Sequence, residues 1–296
     1  MRYSSLSFEI FAHEVSYPSL YVKSRVEATI MTIWKNIIPT TVIKAKRLGV
    51  ITDVDGTISP IVDQPDAAQV TPRSRDLLQA LEQHLALVAV VSGRAAADVR
   101  ERVGIPSLVY VGNHGMERWV NDGVEVPEVI RDYRPQMEVV RDTLREKKLP
   151  GMMIEDKVVT LSVHYRNTEQ PENAANIFRP LVQAISDKHG LSVHEGRMIF
   201  EVRPPLEVNK GTAFKTLIED YQLDAAFYIG DDVTDVDALK MARHLREAGT
   251  CAAMGVGVES ADDTPESVRQ ESDFLVDGVA GVESFFDWLL KAVSES

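Results

Sequence analysis

Cysteine is nearly absent from this chain of 296 residues: Cys251 stands alone, so an internal disulfide cannot form. Long apolar runs are also missing, and none approaches the roughly 20 residues that a helix needs to cross a bilayer. Glu9 and His13 interrupt the first residues, which therefore lack the charged-then-apolar pattern of a secretory signal. Together these absences predict a reducing, cytoplasmic setting. The apolar run Cys251-Ala252-Ala253-Met254 predicts that the thiol is buried and inert.

Positive charge is the next deficit. Lys and Arg number 32 against 45 Asp and Glu, which leaves a net charge of -13. An acidic surface repels nucleic acid and anionic lipid, so neither is expected as a partner. It also repels phosphate esters, and a phosphate site would therefore need a local cation or a metal ion. The apolar share of 44% is typical of soluble globular proteins and predicts a buried core.

Short apolar runs alternate with amphipathic segments of helical length from Leu48 onward. This alternation is typical of a parallel sheet with crossover helices. The runs that predict strands are 49–52, 85–91, 108–111, 226–229 and 250–255. Between the first two, a helix is predicted over 73–83, with Thr71 as its N-cap and Pro72 in its first turn.

The pattern changes between residues 124 and 202. A charged helical segment over 129–147 precedes strands within 151–166, and a second helix over 171–189 precedes a strand pair over 191–202. This repetition of helix and hairpin indicates a small inserted α+β domain. The predicted fold class is α/β, with a Rossmann-like parallel-sheet core (47–123 and 203–296) and an inserted α+β cap domain (124–202). Residues 1–46 form an N-terminal segment of unknown role, with helical potential over 24–35.

Four of the apolar runs end abruptly in small and polar residues. In open parallel sheets, ligands bind beyond the carboxyl ends of the strands, so these four ends are expected to converge on one crevice. They are Asp53-Val54-Asp55-Gly56-Thr57, Ser92-Gly93-Arg94, Gly112-Asn113-His114-Gly115 and Gly230-Asp231-Asp232.

Asp53 and Asp55 stand two residues apart, so in an extended chain their carboxylates point to the same side and can share one site. Two carboxylates held together repel each other unless a proton or a cation intervenes, and Mg²⁺ prefers such oxygen ligands. In that site Asp53 would attack phosphorus, while Asp55 would move protons to and from the ester oxygen. Taken alone, the motif is equally typical of an Asp-rich turn, because Asp-Gly is a common turn dipeptide.

Ser92 and Lys210 are candidates for holding a phosphate. Ser92 and the amides near Gly93 could donate hydrogen bonds to phosphate oxygens, and Lys210, just before a helical stretch, could pair with phosphate and Asp53. An ordinary turn for Ser92 and a solvated side chain for Lys210 are the simpler interpretations of each residue alone.

Asp231, Asp232 and Asp235 follow another strand. Burying an Asp-Asp pair without compensation would be strongly unfavourable, so a bound cation is the simpler interpretation, and one or more of these residues could complete its shell.

Taken in order, the motifs resemble those of the haloacid dehalogenase superfamily of phosphotransferases, and the resemblance extends from about residue 48 to the end. It implies Mg²⁺ as cofactor. The catalytic residues that it implies are Asp53 as nucleophile, Asp55 as general acid/base, and Ser92 and Lys210 as phosphate holders. The metal ligands that it implies are Asp53, Asp55 and Asp231, supported by Thr57, Asp232 and Asp235. The insertion between the second and third motifs is similar to that of superfamily members with an α/β cap.

Further strings resemble the trehalose-6-phosphate phosphatase family. They are Ser92-Gly93-Arg94, Gly112-Asn113-His114-Gly115, Asn209-Lys210-Gly211 and residues 230–235 in the core, and Glu155-Asp156-Lys157, His164-Tyr165-Arg166 and Glu201-Val202-Arg203-Pro204 in the cap. The resemblance implies hydrolysis of a small-molecule sugar phosphate, trehalose 6-phosphate, and a functional link to a trehalose-6-phosphate synthase. The residues that it implies for substrate binding are Arg94, Asn113, His114, Glu155, Lys157, Arg166 and Glu201.

Val54 and Val236 depart from the usual residues of that family, an aromatic or leucine and an acidic residue respectively. Phosphatases of sucrose 6-phosphate or of glycosyl-3-phosphoglycerate share the fold and the four motifs and stay as alternatives. The cap strands alternate between apolar and polar residues, with Thr160, Ser162, His164 and Arg166 on one face. A polar face suits a sugar, but half-solvated sheets are routine, so the pattern by itself favours exposure to water.

Two other classes of protein are alternatives to a phosphatase. A non-catalytic sugar-phosphate binding protein would have no need to keep Asp53, Asp55, Ser92, Lys210 and Asp231 together. A phosphoacceptor signalling domain would use the aspartyl-phosphate chemistry, but it would have no use for the cap or for proton transfer by Asp55. The sequence therefore favours an enzyme, a phosphatase with an aspartyl-phosphate intermediate.

Overall fold

The computed structural model of the chain describes residues 34, 36–62, 67–196, 198–260 and 264–295. Contacts divide the chain into residues 1–39 and 40–296, and the elements discussed below belong to the second unit. The predicted helix over 24–35 and most of the segment 1–46 fall outside the described residues. None of the helices in the described ranges has the length and apolar character that crossing a membrane requires.

The strands of the described residues are, in chain order, β1 (Leu48–Thr52), β2 (Leu87–Val91), β3 (Val109–Gly112), β4 (Glu117–Val120), β5 (Gly123–Glu125), β6 (Met153–Asp156), β7 (Leu161–His164), β8 (Ser192–Gly196), β9 (Ile199–Arg203), β10 (Ala225–Gly230), β11 (Ala252–Glu259) and β12 (Phe274–Asp277). The α-helices are α1 (Thr40–Ile43), α2 (Pro72–Glu82), α3 (Ala96–Val103), α4 (Glu128–Arg131), α5 (Arg134–Lys147), α6 (Pro171–Lys188), α7 (Lys210–Asp220), α8 (Val236–Glu247), α9 (Glu266–Glu271) and α10 (Gly278–Ser294).

The larger sheet has the order β12–β11–β10–β1–β2–β3–β4–β5. Its strands from β12 to β3 run parallel, and β4 and β5 extend it as antiparallel edge strands. Every residue of β1, β2 and β10 is buried, as expected for central parallel strands that are covered on both faces. The predicted α/β fold with a parallel sheet is confirmed, and each of the five predicted strands is present within a few residues of its expected bounds.

Helices cover both faces of this sheet. On one face, Phe214 and Leu217 of α7 join Leu239 of α8 in an apolar cluster with side chains of the central strands. On the other face, Phe285 of α10 packs edge-on against Phe227 of β10, with ring centroids 5.3 Å apart. Helices α2 and α10 also contact each other.

The predicted start of α2 is confirmed in detail. Thr71 is its N-cap, and the Thr71 hydroxyl accepts a hydrogen bond from the amide of Ser74 at 3.0 Å. Pro72 stands at the first helical position, where the amide proton that proline lacks would have had no partner inside the helix.

The smaller sheet is antiparallel, in the order β6–β7–β9–β8. One face of it packs on α5 and α6, whose Val140 and Phe178 meet Leu161, Val163 and other strand side chains in a separate apolar core. The predicted alternation is confirmed, because the apolar residues of β7 face these helices. The charged segment predicted as one helix over 129–147 is instead two helices, since Pro135 cannot continue the hydrogen bonding of the preceding turn.

Candidate active site

The carboxyl ends of β1 and β10 are joined side by side. Asp53 directly follows β1, and its amide donates a hydrogen bond of 2.9 Å to the carbonyl of Ile229 in β10. Asp231 directly follows β10. The structure therefore brings these two aspartates, which are far apart in the sequence, to the same edge of the sheet, where Asp53 is buried.

Lys210 is the first residue of α7, a helix that begins with a capping box between Asn209 and Thr212. The Lys210 ammonium lies 2.9 Å from Asp53 Oδ1 and 2.8 Å from Asp235 Oδ1. Burial alone would lower the pKa of Lys210, but the charges of Asp235 and Asp53 outweigh it and raise the pKa above its usual value. Lys210 therefore stays charged between the two carboxylates.

Asp235 organises the loop after β10. One of its oxygens accepts the hydroxyl of Tyr228 at 2.6 Å, and the other accepts the amides of Asp231 and Asp232 at 3.2 and 3.0 Å. A side chain at Gly230 would collide with the Asp235 carboxylate. Burial and the charge of Asp235 raise the pKa of Tyr228 well above its usual value, so Tyr228 acts as a hydrogen-bond donor.

Carboxylate oxygens of Asp53, Asp231 and Asp235 lie within 4.8 Å of one another, a spacing that could hold a metal ion. Burial and the neighbouring negative charges raise the pKa of Asp53 well above its usual value, although Lys210 opposes the shift. Burial and the charge of Asp235 raise the pKa of Asp231 to about 7. Three carboxylates thus share one ammonium, and a divalent cation with a preference for oxygen ligands fits this excess of negative charge.

Asp53 and Asp231 are the better candidates for ligands, because both oxygens of Asp235 already accept hydrogen bonds. Among the described residues, the carboxylates with this spacing are those of Asp53, Asp231 and Asp235. The sequence also predicted Asp55 as a ligand, but its side chain is not one of them. Thr57 donates a hydrogen bond of 3.1 Å to Asp231 Oδ1 and so orients it. Asp232 is exposed, and its backbone carbonyl accepts the amide of Asp235 at 2.9 Å in the short helical turn that follows.

Gly56 is required by the position of Asp231. It has a left-handed backbone with φ of +82°, and a Cβ placed on it would overlap the Asp231 carboxylate. The turn between β1 and α2 therefore approaches the acidic cluster through a residue that has no side chain.

Asp55 is paired with Arg94. The guanidinium of Arg94 donates to both Asp55 oxygens, at 2.6 and 2.8 Å, and also lies 3.4 Å from Asp98. Burial would lower the pKa of Arg94, but the hydrogen bonds and charge of Asp55 outweigh it and raise the pKa. The structure thus places Arg94, predicted to bind substrate, against the predicted general acid/base.

Ser92, Gly93 and Arg94 form a loop after β2, named here the Ser92 loop. The Ser92 carbonyl accepts the amide of His114 at 2.9 Å, and the Arg94 carbonyl accepts the amide of Asn113 at 2.8 Å. The Gly93 carbonyl accepts the ammonium of Lys157 at 3.2 Å. The amide of Arg94 donates to the Ser92 hydroxyl at 3.2 Å, and Ser92 is buried. The loop is therefore fixed from the side of the smaller sheet as well as from β3.

Glu201 in β9 is the centre of the contacts between the two sheets. Its carboxylate lies 3.2 Å from His114 Nε2 and 3.5 Å from Lys157 Nζ, and it is also paired with Arg203. Burial lowers the pKa of His114, so this ring is neutral near neutral pH and donates its Nε2–H. Burial would raise the pKa of Glu201, but His114, Arg203 and Lys157 hold the pKa well below its usual range.

The polar face of the smaller sheet is covered on its central strands β7 and β9, whereas Glu155 and His194 on the edge strands β6 and β8 are exposed. Thr160 and Ser162 are 0% exposed, and Glu201 is 7% exposed. The Thr160 hydroxyl donates to the Asn113 side chain at 3.0 Å, across the junction between the two sheets. The sequence pattern by itself favoured a solvated face, and the structure corrects that interpretation for the central strands of the sheet.

Glu155 and Arg166, which were also predicted to contact the sugar, are less buried than Glu201. Glu155 is exposed and pairs with His164 at 2.9 Å, which lowers the pKa of Glu155 although burial opposes the shift. Arg166 follows β7 and is partly buried. Arg197 lies outside the described residues.

Two side chains near this site were not predicted. Tyr228 lies in the middle of an apolar strand, where a tyrosine is most simply a core residue. Glu117 is 4% exposed and accepts a hydrogen bond from the amide of Ala96, a contact that the sequence pattern does not predict.

Two curated relatives match this chain at similar identity. The chain is 31% identical over 264 residues to a trehalose-phosphate phosphatase of Mycobacterium leprae, covering 85% of this chain and 59% of the relative. It is 34% identical over 231 residues to a trehalose-phosphate phosphatase of Mycobacterium ulcerans, covering 72% of this chain and 58% of the relative. The chain thus spans a little under three fifths of the length of these two relatives.

Solved structures share the fold. A trehalose-6-phosphate phosphatase related protein superposes with a TM-score of 0.68 at 20% identity, over 84% of this chain and 100% of that one. The C-terminal domain of the trehalose-6-phosphate phosphatase of C. albicans gives a TM-score of 0.68 at 20% identity, over 90% and 96%. Because residues 51–276 match the family model described as trehalose-phosphatase, the chain belongs to the trehalose-phosphatase family, as its motifs indicated.

Proposed function

We propose that the protein hydrolyses trehalose 6-phosphate to trehalose and phosphate, with Mg²⁺ as cofactor and Asp53 as nucleophile. The observation that carries this proposal is the buried pairing of Lys210 with Asp53 at 2.9 Å, next to Asp231 and Asp235 at the strand ends. A buried aspartate beside a fixed ammonium is poised to attack an electrophile whose negative charge the ammonium neutralises.

In the first step, an oxygen of Asp53 attacks phosphorus and the bond from phosphorus to the sugar oxygen breaks. Asp55, as the carboxylic acid, gives its proton to the departing sugar oxygen. Arg94 orients Asp55, and proton transfer requires one Asp55 oxygen to leave the guanidinium. Ser92 and Lys210 hold the phosphoryl oxygens during the transfer.

In the second step, Asp55 accepts a proton from water, and the water oxygen attacks the phosphorus of the aspartyl-phosphate. The bond between phosphorus and Asp53 breaks, which releases phosphate, restores the Asp53 carboxylate and leaves Asp55 again as the carboxylic acid. When bound to Asp53 and Asp231, Mg²⁺ would supply positive charge for the phosphoryl oxygens. Asp235 keeps Asp231 and Lys210 in position through the contacts described above.

The sugar specificity is supported by the family and by the buried polar groups between the sheets. Glu201, Lys157 and His114 present donors and acceptors beside the Ser92 loop, where the sugar of a bound ester would lie. Sites built to hydrogen-bond hydroxyl groups discriminate strongly against ligands that lack them. Residues 124–202 then act as the cap that carries specificity, and closure of the cap excludes water until the intermediate forms.

The setting that we propose is the reducing cytoplasm, which is supported by the single buried Cys251. The substrate implies a functional link to a synthase that forms trehalose 6-phosphate.

The test is phosphate release, with and without Mg²⁺, from trehalose 6-phosphate, sucrose 6-phosphate, glucosyl-3-phosphoglycerate and glucose 6-phosphate. We expect Mg²⁺-dependent preference for the first ester and its loss in Asp53→Asn, while Asp76→Asn, an exposed aspartate of α2, keeps full activity. Preference for another ester would retain the chemistry and reject the sugar. Binding of these esters without release from any of them would support the non-catalytic binding protein instead.

A further inference from the structure

Glu117 is a buried carboxylate that the proposed chemistry leaves unused. It is the first residue of β4 and is 4% exposed. Burial raises the pKa of Glu117, while the Ala96 amide and the Asn113 side chain, to which it is hydrogen-bonded, oppose the shift. A buried carboxylate is costly unless its oxygens are satisfied, so these two partners account for its presence in the core of the fold.

The first partner fixes the end of the Ser92 loop. Glu117 Oε1 accepts the amide of Ala96, the first residue of α3, at 2.7 Å. Ala95, the N-cap of α3, has no side chain that could satisfy this amide. Glu117 therefore caps α3 from another strand, and the negative carboxylate suits the positive end of the helix.

The second partner faces the smaller sheet. Asn113 bonds to Glu117 and also accepts the Thr160 hydroxyl at 3.0 Å, and its amide group lies 3.5 Å from the carbonyl of Lys157. Asn113 has a left-handed backbone with φ of 48°, as does His114 with φ of 59°. Such backbone persists in residues other than glycine when surrounding contacts determine it, and it concentrates at functional sites.

The local backbone makes room for this carboxylate. Gly112 pairs with Glu117 between β3 and β4. A Cβ on Gly112 would meet Glu117 Oε1 at 2.8 Å and would overlap the Ala96 amide. A glycine at this position is thus what lets Glu117 reach α3.

We propose that Glu117 is a positioning residue that couples the Ser92 loop to the contact between Asn113 and the cap. This inference rests on the proposed function, because it assigns the phosphate-holding loop and the cap to one reaction. The Glu117 carboxylate is hydrogen-bonded to the first amide of α3, the helix that follows the Ser92 loop. It is also hydrogen-bonded to Asn113, which contacts Thr160 and Lys157. Displacement of the cap is therefore transmitted through Asn113 and Glu117 to the groups that hold the phosphate.

Hydrogen exchange in the full-length, ligand-free protein tests the coupling without turnover. In Glu117→Ala, we expect amides within 92–99 and within 157–164 to exchange faster by about tenfold or more, the effect of losing a hydrogen bond to a charged group. Glu117→Gln keeps an acceptor for Ala96 but places an amide against Asn113, so we expect faster exchange within 157–164 at an unchanged thermal midpoint. Glu125→Gln, an exposed glutamate of β5, should change neither segment. Unchanged exchange of 157–164 in Glu117→Gln overturns the proposal.

Kinetics test the consequence. We expect Glu117→Gln to lower kcat/KM for trehalose 6-phosphate by about tenfold or more. For p-nitrophenyl phosphate, which has no sugar, kcat/KM should fall by less than about threefold. Addition of Asn113→Ala to Glu117→Gln should cause little further loss, because residues that act through each other are not additive. Equal losses for both esters, or additive losses, would reduce Glu117 to a structural cap of α3. If the wild-type protein hydrolyses neither ester, the proposed function fails, while the exchange experiment still decides the coupling.

Discussion

Glu201 of β9 and His114 after β3 face each other with Oε2 and Nε2 3.2 Å apart, and this contact joins the smaller sheet to the larger one. Glu201 is also paired with Lys157 and Arg203. Two cations therefore depend on one buried carboxylate. A buried charge that loses its partner costs several kcal/mol, so this group can be tested by stability as well as by activity.

Replacement of Glu201 by Gln should lower the free energy of unfolding by about 3 kcal/mol, since the buried Arg203 and the partly buried Lys157 remain charged without their partner. The KM for trehalose 6-phosphate should rise by about tenfold or more, from the loss of charge-assisted hydrogen bonds. Urea denaturation and steady-state kinetics measure the two effects. Glu207→Gln, an exposed residue after β9, is the control, and equal behaviour of the two variants would contradict the role of Glu201.

Replacement of Lys210 by Met should leave Asp53 and Asp235 close together without the ammonium between them. In the absence of divalent cations we expect a loss of about 3–5 kcal/mol in unfolding free energy. Phosphate release should fall by at least about 10²-fold, the scale for removal of one preorganised electrostatic group. Lys215→Met, on the exposed side of the same helix, should change stability by less than about 0.5 kcal/mol. An active, stable Lys210→Met protein would refute the assigned role.

Replacement of Gly56 by Ala should abolish metal binding, because the added Cβ would displace the Asp231 carboxylate. The control is Gly190→Ala, where φ is +67° but no atom lies within 4 Å of the added Cβ, so only the backbone strain of about 1 kcal/mol is common to both. Wild type and Gly190→Ala should gain about 2.7 kcal/mol of stability at a Mg²⁺ concentration of 100 times Kd. Thermal denaturation with and without Mg²⁺ measures this gain, and its persistence in Gly56→Ala would argue against Asp231 as a ligand.

Asp156 should make stability depend on pH. It accepts hydrogen bonds from Arg134 at 2.7 and 2.9 Å and from Arg141 at 2.7 Å. Burial would raise the pKa of Asp156, but these arginines outweigh it and lower the pKa below its usual value. Because the folded protein binds this proton less readily than the unfolded chain, the stabilisation is complete above the unfolded pKa of about 3.9. It is lost as the pH falls through the lower, folded pKa.

The measurement is urea denaturation between about pH 5 and pH 3, bracketing the unfolded aspartate pKa. Wild type should lose stability more steeply than Asp156→Asn, by about 1–2 kcal/mol over this range. Asp132→Asn, which removes an exposed carboxyl just before α5, should follow the wild-type curve. Parallel curves for wild type and Asp156→Asn would show that the arginines contribute nothing to stability.

The sequence by itself determined the elements of the larger sheet and the residues at its carboxyl edge. Runs of buried residues such as β1 and β10 are local patterns, and so is the start of α2 at Thr71 and Pro72. Parallel strands end at one edge, so the sequence also indicated that Asp53, Ser92 and Asp231 belong to one region. Periodicity and capping are properties of neighbouring residues, which is why they can be predicted without knowledge of the packing.

The tertiary structure alone decided which side chains pair with which. Asp235 lies in the acidic cluster while the Asp55 side chain pairs with Arg94, although the spacing of Asp53 and Asp55 suggested a shared site. Glu117 reaches Ala96, and Glu201 is buried against His114, although an antiparallel sheet commonly leaves one face to water. Each of these contacts joins residues on different elements, so it depends on strand register and on how the two sheets pack, which no local pattern encodes.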